Sequence, residues 1–151
     1  MTVDRVQAGA AARGLEVRII DRPAARSLPE AAELLGLAPA QLVKSLVVRR
    51  GDDDYLFALI PGDRQIAWPK LRAAVGVNRL AMPPADEALT ATGYERGTIT
   101  PIGALGDWPL YVDERIGGEV ALGAGSHGRS ALVDAAALIA AYGATVADIS
   151  S

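Results

Sequence analysis

The chain has 151 residues, half of them apolar and 22% charged, which is a globular composition with length enough for one domain and its core and argues against disorder. Net charge is −3, which argues against a broad electrostatic grip on nucleic acid and leaves room for a small contact with one RNA end. The absence of cysteine excludes a disulfide framework, a thiolate nucleophile and a cysteine zinc site; with one histidine and no carboxylates spaced for a metal, the sequence calls for neither metal nor cofactor.

Thr2 is placed to cap a first helix through about Arg13, with Val6, Ala10 and Leu15 near one face and Gly14 ending it. "LEVRII" alternates like a strand. "SLPE" reads as a capping box, with Ser27 as N-cap and Glu30 at N3, opening a helix to Leu35 that Gly36 stops. "APAQLV" is a further helical turn. "KSLVVRR" and "DYLFALI", joined by "GDDD", form a hairpin. "WPKLRAAVG" and "PADEALTATG" are helices ended by Gly76 and Gly93, with "NRLAM" a short strand between them. The glycine- and proline-rich "YERGTITPIGALGDWP" is a shaped loop. "LYVDE", "EVALGAG", "SALV" and "ATVADI" are short strands, and Asp134 caps a last helix. With no internal repeat or linker, residues 1–151 read as a single α/β or α+β domain on a mixed sheet.

The N-terminus lacks the apolar core of a signal peptide, and the longest apolar run, Ala135 to Ala147, falls short of the ~20 residues that span a bilayer. The expectation is a soluble, cytoplasmic protein without a membrane partner.

Three places can carry chemistry. Lys44 opens an apolar strand, where it either snorkels to water or points into a cleft to hold a phosphate or carboxylate. "GTITPIG", Gly97 to Gly103, is either a structural turn or a loop that aims backbone groups at a ligand; its spacing is not that of a P-loop or dinucleotide fingerprint. "GAGSHG" holds the one histidine, His127, either as an exposed loop residue or as a group that donates and accepts where glycines let a ligand approach. Ser126 beside it makes no nucleophile pair by adjacency alone, and no carboxylate neighbouring in sequence is placed to orient the ring. Asp52, Asp53 and Asp54 read as a solvated turn, and Asp86 and Glu87 as first-turn residues of a helix.

In order, "LVKSLVV", "ALIPGDRQIAWPKLRAAVGVNRLAM", "GYERGTITPIG" and "GAGSHGRSALVDAAAL" resemble the YbaK/prolyl-tRNA-editing-domain family over nearly the whole chain. The resemblance implies a mixed, partly barrel-like sheet flanked by helices. It implies hydrolysis of the ester between a wrong amino acid and the 3′ end of tRNA, with Cys or Ala on tRNA-Pro as typical substrates. By position, Lys44 matches the family's functional lysine at the 3′-terminal nucleotide, with Ser45 beside it where some branches carry Thr or Asn. Gly97 with Thr98, Ile99, Thr100, Pro101, Ile102 and Gly103 matches the loop lining the aminoacyl pocket, and Gly125, Ser126, His127, Gly128 and Arg129 match the turn that closes it. Lys44, Gly97 and His127 are thereby expected to be catalytic and the others to bind substrate. The Cys-clearing branch carries a basic residue and Gly where this chain has "SHG", whereas a histidine in that region is found in the Ala-clearing branch.

The function expected is a trans-acting aminoacyl-tRNA deacylase. It needs a positioned water and a stabilised oxyanion rather than a triad, with the tRNA 3′ aminoacyl end, and an aminoacyl-tRNA synthetase, as partners. The alternatives are a non-catalytic module gripping a tRNA 3′ end or an adenylate-like ligand, and a hydrolase of another acyl ester.

Overall fold

The computed structural model describes residues 2–22 and 26–151. Its elements are α1 (Thr2–Ala12), β1 (Arg18–Asp21), α2 (Leu28–Leu35), a 3₁₀ turn (Pro39–Gln41), β2 (Val43–Gly51), β3 (Asp54–Pro61), α3 (Trp68–Val75), α4 (Ala85–Thr92), β4 (Leu110–Asp113), β5 (Glu119–Gly123), β6 (Arg129–Asp134), α5 (Ala135–Tyr142) and β7 (Thr145–Ala147). The cap assigned to Thr2 rests on a side chain outside the described ones.

Capping chemistry sets most helix boundaries. The Ser27 hydroxyl accepts from the Glu30 N–H, and Asp134 accepts from the Ala137 N–H. Gly36, Gly76, Gly93 and Gly143 each end a helix in the left-handed region. After α1, the Leu15 N–H returns to the Ala10 carbonyl (2.9 Å) and its side chain is buried. Leu15 therefore closes the helix, and the strand predicted from Leu15 begins at Arg18.

Two sheets form, ordered β1-β6-β5 and β2-β3-β4-β7. The first is antiparallel. The second is mixed: β2 and β3 make the expected hairpin, while β3–β4 and β4–β7 run parallel. The sheets touch through a parallel bridge between Leu42 and Ala121 and do not close into a barrel.

The unbroken apolar run of β3 has a simple cause, because both its faces are covered. Tyr55, Phe57 and Leu59 pack with α1, α4 and α5 residues such as Val6, Ala88 and Leu138. Leu56, Ala58 and Ile60 pack on the opposite side against Leu71 of α3 and Ile149. "NRLAM" forms no ladder. Only Ala81 pairs, exchanging two backbone bonds with Arg49. Pro83 and Pro84 follow directly and have no N–H with which to extend it.

Beyond β7 the chain folds back onto Asp113, a fully buried carboxylate. It accepts from the Arg115 N–H (3.0 Å), the Ile149 N–H (3.1 Å), the Ser150 hydroxyl (2.8 Å) and the Arg115 guanidinium (3.2 Å). Burial alone would raise its pKa. The bonds from the Arg115 and Ile149 amides, the Ser150 hydroxyl and the Arg115 side chain outweigh that and hold it below the usual carboxylate value. The stabilisation is therefore present above the unfolded value near 3.9 and is lost as pH falls through the lower folded value. Asp113→Asn should cost about 2 kcal/mol at pH 7, or about 4–8 °C in thermal midpoint. The gap to wild type should narrow on acidification below about pH 4. Thermal scans at pH 7 and in acid check this, and an equal gap at both would show that the charge of Asp113 contributes nothing.

Candidate functional site

A cleft of about 390 Å³ opens along β2. Five consecutive residues, Val43 to Val47, line it, so it follows the strand's edge rather than one face. β2 is the outer strand of its sheet. Its edge is bridged at Leu42 by Ala121 and at Arg49 by Ala81, and between them no strand among the described residues pairs with it. Met82, Pro83, Ala85 and Ala88 form one wall, and Arg96, Gly97, Ile99 and Gly123 the other.

The second wall is built by close backbone approach. The Gly125 N–H donates to the Thr98 carbonyl (2.9 Å). A side chain on Gly123 would start 2.5 Å from the Ile99 carbonyl oxygen and 2.7 Å from that of Thr98. Within the loop, the Thr98 N–H and hydroxyl both donate to the Glu95 carbonyl (2.9 and 2.7 Å). The Tyr94 hydroxyl closes the loop's base on the Ile102 carbonyl (2.8 Å). Burial raises that phenol's pKa to about 12, which keeps it a donor.

This arrangement sorts the residues singled out from sequence. Lys44, Ser45, Gly97 and Ile99 line the cleft. The Lys44 ammonium donates to the Arg64 carbonyl (2.8 Å), and the Ser45 hydroxyl is buried without a hydrogen-bond partner among the described residues. Thr98, Thr100, Pro101 and Ile102 are buried within the loop's packing, and Gly103 lies against the Arg5 backbone of α1. Gly125 is buried by its bond to Thr98, and Gly128 accepts from the Arg22 N–H (2.8 Å). Arg129 pairs with Asp21 (3.1 Å). The Ser126 hydroxyl lies 3.4 Å from the His127 carbonyl oxygen, so its contact is with backbone and not with the imidazole.

The absence of a carboxylate beside His127 in sequence does not carry over to space. Nε2 of His127 lies 3.2 Å from Oε2 of Glu95, 32 residues upstream. Both side chains are about 70% exposed. The ring also lies over Gly97, its Cε1 3.6 Å from where a Cβ on that glycine would stand. Nothing local in "GYERG" marks Glu95, because the pairing exists only after Thr98 is tied to Gly125.

A wider depression of about 770 Å³ lies around Arg49, Tyr55, Glu87 and Trp108. Its aromatic polar groups are already engaged. The Tyr55 hydroxyl donates to Glu87 (2.7 Å), which pushes the phenol's pKa up to about 12, and Trp108 Nε1 donates to the Ala91 carbonyl (3.0 Å). A third hollow of about 610 Å³ gathers Arg49, Arg50, Arg72 and Arg79 beside Leu80 and Ala81. The backbone from Ala81 leads directly to Met82 and Pro83 on the cleft wall.

The aminoacyl-tRNA editing domain matches residues 22–141. This chain belongs to that family. It is 39% identical over 82 residues to the proline–tRNA ligase of Thermosipho africanus, covering 54% of this chain and 14% of the ligase. It is 31% identical over 94 residues to that of Trichlorobacter lovleyi, covering 62% of this chain and 16% of the ligase. The chain thus spans a small part of the curated relatives it matches. A solved structure of a candidate trans-editing enzyme for prolyl tRNA synthetase superposes with a TM-score of 0.90 at 29% identity, covering 99% of this chain and 97% of that one. The editing-domain fold expected from sequence is the fold found.

Gly97 adopts φ +91°, where an L side chain is strained by about 1–2 kcal/mol. Gly97→Ala should therefore lower the thermal midpoint by about 2–8 °C with its methyl in ordinary contact with the imidazole. Gly97→Val should also displace the ring. Since the chain has one histidine, the Cε1–H proton resonance reports on it alone. That resonance should hold its position in the alanine variant and move in the valine variant, and an unmoved signal in both would separate Gly97 from His127.

Proposed function

We propose that the chain is a trans-acting aminoacyl-tRNA deacylase, hydrolysing the ester that joins a small, wrongly attached amino acid such as Cys or Ala to the 3′ end of tRNA-Pro. One observation carries the reading: in a chain of the aminoacyl-tRNA editing family, Lys44, Ser45, whose buried hydroxyl has no partner among the described residues, and bare Gly97 share one cleft, with the His127–Glu95 pair over Gly97. The full-length likeness to a candidate trans-editing enzyme and the partial likeness to proline–tRNA ligases support it.

Water attacks the ester carbonyl, the bond to the ribose oxygen breaks, and that oxygen takes up a proton. The products are free amino acid and tRNA. The unpaired edge of β2 offers backbone N–H groups to the carbonyl oxygen as it gains charge. Lys44 holds the phosphate or ribose of the terminal nucleotide, and the Ser45 hydroxyl gains a hydrogen-bond partner. Val43, Val47, Met82 and Ile99 wall the space for the amino-acid side chain, which suits a small apolar or thiol group. In the arginine-lined hollow continuing from Ala81, Arg49 and Arg50 are paired with Asp52 and Asp54, and Arg72 and Arg79 suit the phosphates that follow.

With its Nε2–H donated to Glu95, a neutral His127 ring presents Nδ1 as an acceptor to the attacking water or the neighbouring ribose hydroxyl. Its exposure favours an orienting role. No nucleophilic side chain is required, in keeping with the Ser126 hydroxyl lying against backbone rather than the imidazole.

A panel of mischarged tRNAs incubated with the purified protein tests the activity. Lys44→Ala should abolish most turnover with little change in thermal midpoint. Tight binding of uncharged tRNA by an inactive wild type would instead favour the binding-module reading.

The role of His127 is read from pH–rate profiles of wild type, His127→Ala and Glu95→Gln, each corrected for spontaneous ester hydrolysis. His127→Ala should cost about 5-fold, the worth of one hydrogen bond, and Glu95→Gln less. A loss of roughly 10²-fold or more, with an acid-side inflection in the wild-type profile that the mutation removes, would make His127 the general base.

A further inference from the structure

Lys44 is tied into a chain of bonds that leads away from the cleft. Its ammonium donates to the Arg64 carbonyl (2.8 Å). Arg64 sits in the turn after β3, where its N–H donates to the Pro61 carbonyl (3.0 Å). Its guanidinium donates from Nε to the Ser150 hydroxyl (2.7 Å) and from Nη2 to the Ser150 carbonyl (3.1 Å). The Ser150 hydroxyl donates to Asp113 (2.8 Å), and both Ser150 and Asp113 are fully buried. Gln65 and Ser151 exchange backbone bonds (3.0 and 2.8 Å), which keeps the Arg64 turn beside this segment.

A lysine stem has four free rotors, and a flexible stem places its charge poorly. One of the three ammonium donors is spent on the Arg64 carbonyl, which leaves two for a ligand. That carbonyl is a fixed point only if its turn is fixed. The turn is fixed by a guanidinium held on a buried serine, itself held by a buried carboxylate.

We infer that Arg64, Ser150 and Asp113 form a positioning relay that sets the Lys44 ammonium at the cleft. The inference deepens the role of Lys44 proposed above and rests on it for its catalytic consequence. A merely structural role would tie segment 148–151 to the sheet and leave Lys44 indifferent to Arg64.

The placement of Lys44 is measured without any activity assay. The full chain is treated with an amine-reactive ester, and labelling at Lys44 is followed by mass spectrometry with the N-terminal amine as reference. Arg64→Ala and Ser150→Ala should each speed Lys44 labelling several-fold, while Ser150→Thr, which keeps the hydroxyl, should behave as wild type. The consequence is measured by deacylation kinetics. Arg64→Ala should raise KM about 5-fold, the worth of one hydrogen bond, and should add nothing in a Lys44→Ala background. Unchanged labelling overturns the relay, as do losses that multiply independently in the double variant. Faster labelling together with full activity in Lys44→Ala would keep the relay and remove the function proposed for Lys44. Should Arg64→Ala fail to fold, Ser150→Ala and Arg64→Lys carry the same comparison.

Discussion

Gly123 has no room for a side chain, and the cleft depends on that. Its backbone runs so close to the Thr98 and Ile99 carbonyls that a methyl would overlap them, and two residues later the Gly125 N–H takes the Thr98 carbonyl. This contact fastens the loop after α4 to the turn after β5. Gly97 comes to lie under the imidazole as a result, and Glu95 beside it. The glycines of "GAGSHG" therefore serve two ends. Gly123 admits another backbone, while Gly128, in the left-handed region at φ +77°, turns the chain into β6.

The opposite wall rests on a different constraint. β2 is an edge strand, and a free edge is usually a hazard because it invites another chain. Here bridges at Leu42 and Arg49 bracket the free stretch, and the wall from Met82 to Ala88 stands over it. A short extended or flexible ligand can enter, whereas a long strand is kept out at both ends. Lys44 and Ser45, as neighbours in a strand, face opposite sides of the sheet, yet both border this edge. The ammonium is steadied from the Arg64 turn, and the hydroxyl has no partner among the described residues.

The charge distribution fits a ligand gripped in one narrow track. Two of the three acidic side chains of the β2–β3 turn are spent locally, Asp52 on Arg49 and Asp54 on Arg50. Asp148 is held below its usual pKa by the Arg115 and Lys70 bonds. No helix among the described residues is long and apolar enough to cross a membrane.

The sequence alone determined the local elements, because their causes are local. Ser27, Asp134 and the helix-ending glycines cap within a few residues, and the two apolar runs joined by "GDDD" mark the β2–β3 hairpin. It also singled out Lys44, Gly97 and His127, since a cation at a strand's start and a titrating ring among glycines are visible without a fold. Tertiary structure alone decided the pairings. Glu95 meets His127 across 32 residues, Arg64 meets Ser150 across 86, and most of the "TITPIG" loop turns inward instead of toward the cleft. No periodicity records such contacts. They arise when a glycine lets two backbones approach, or when a buried carboxylate gathers its donors, and both require the sheets to be in place first.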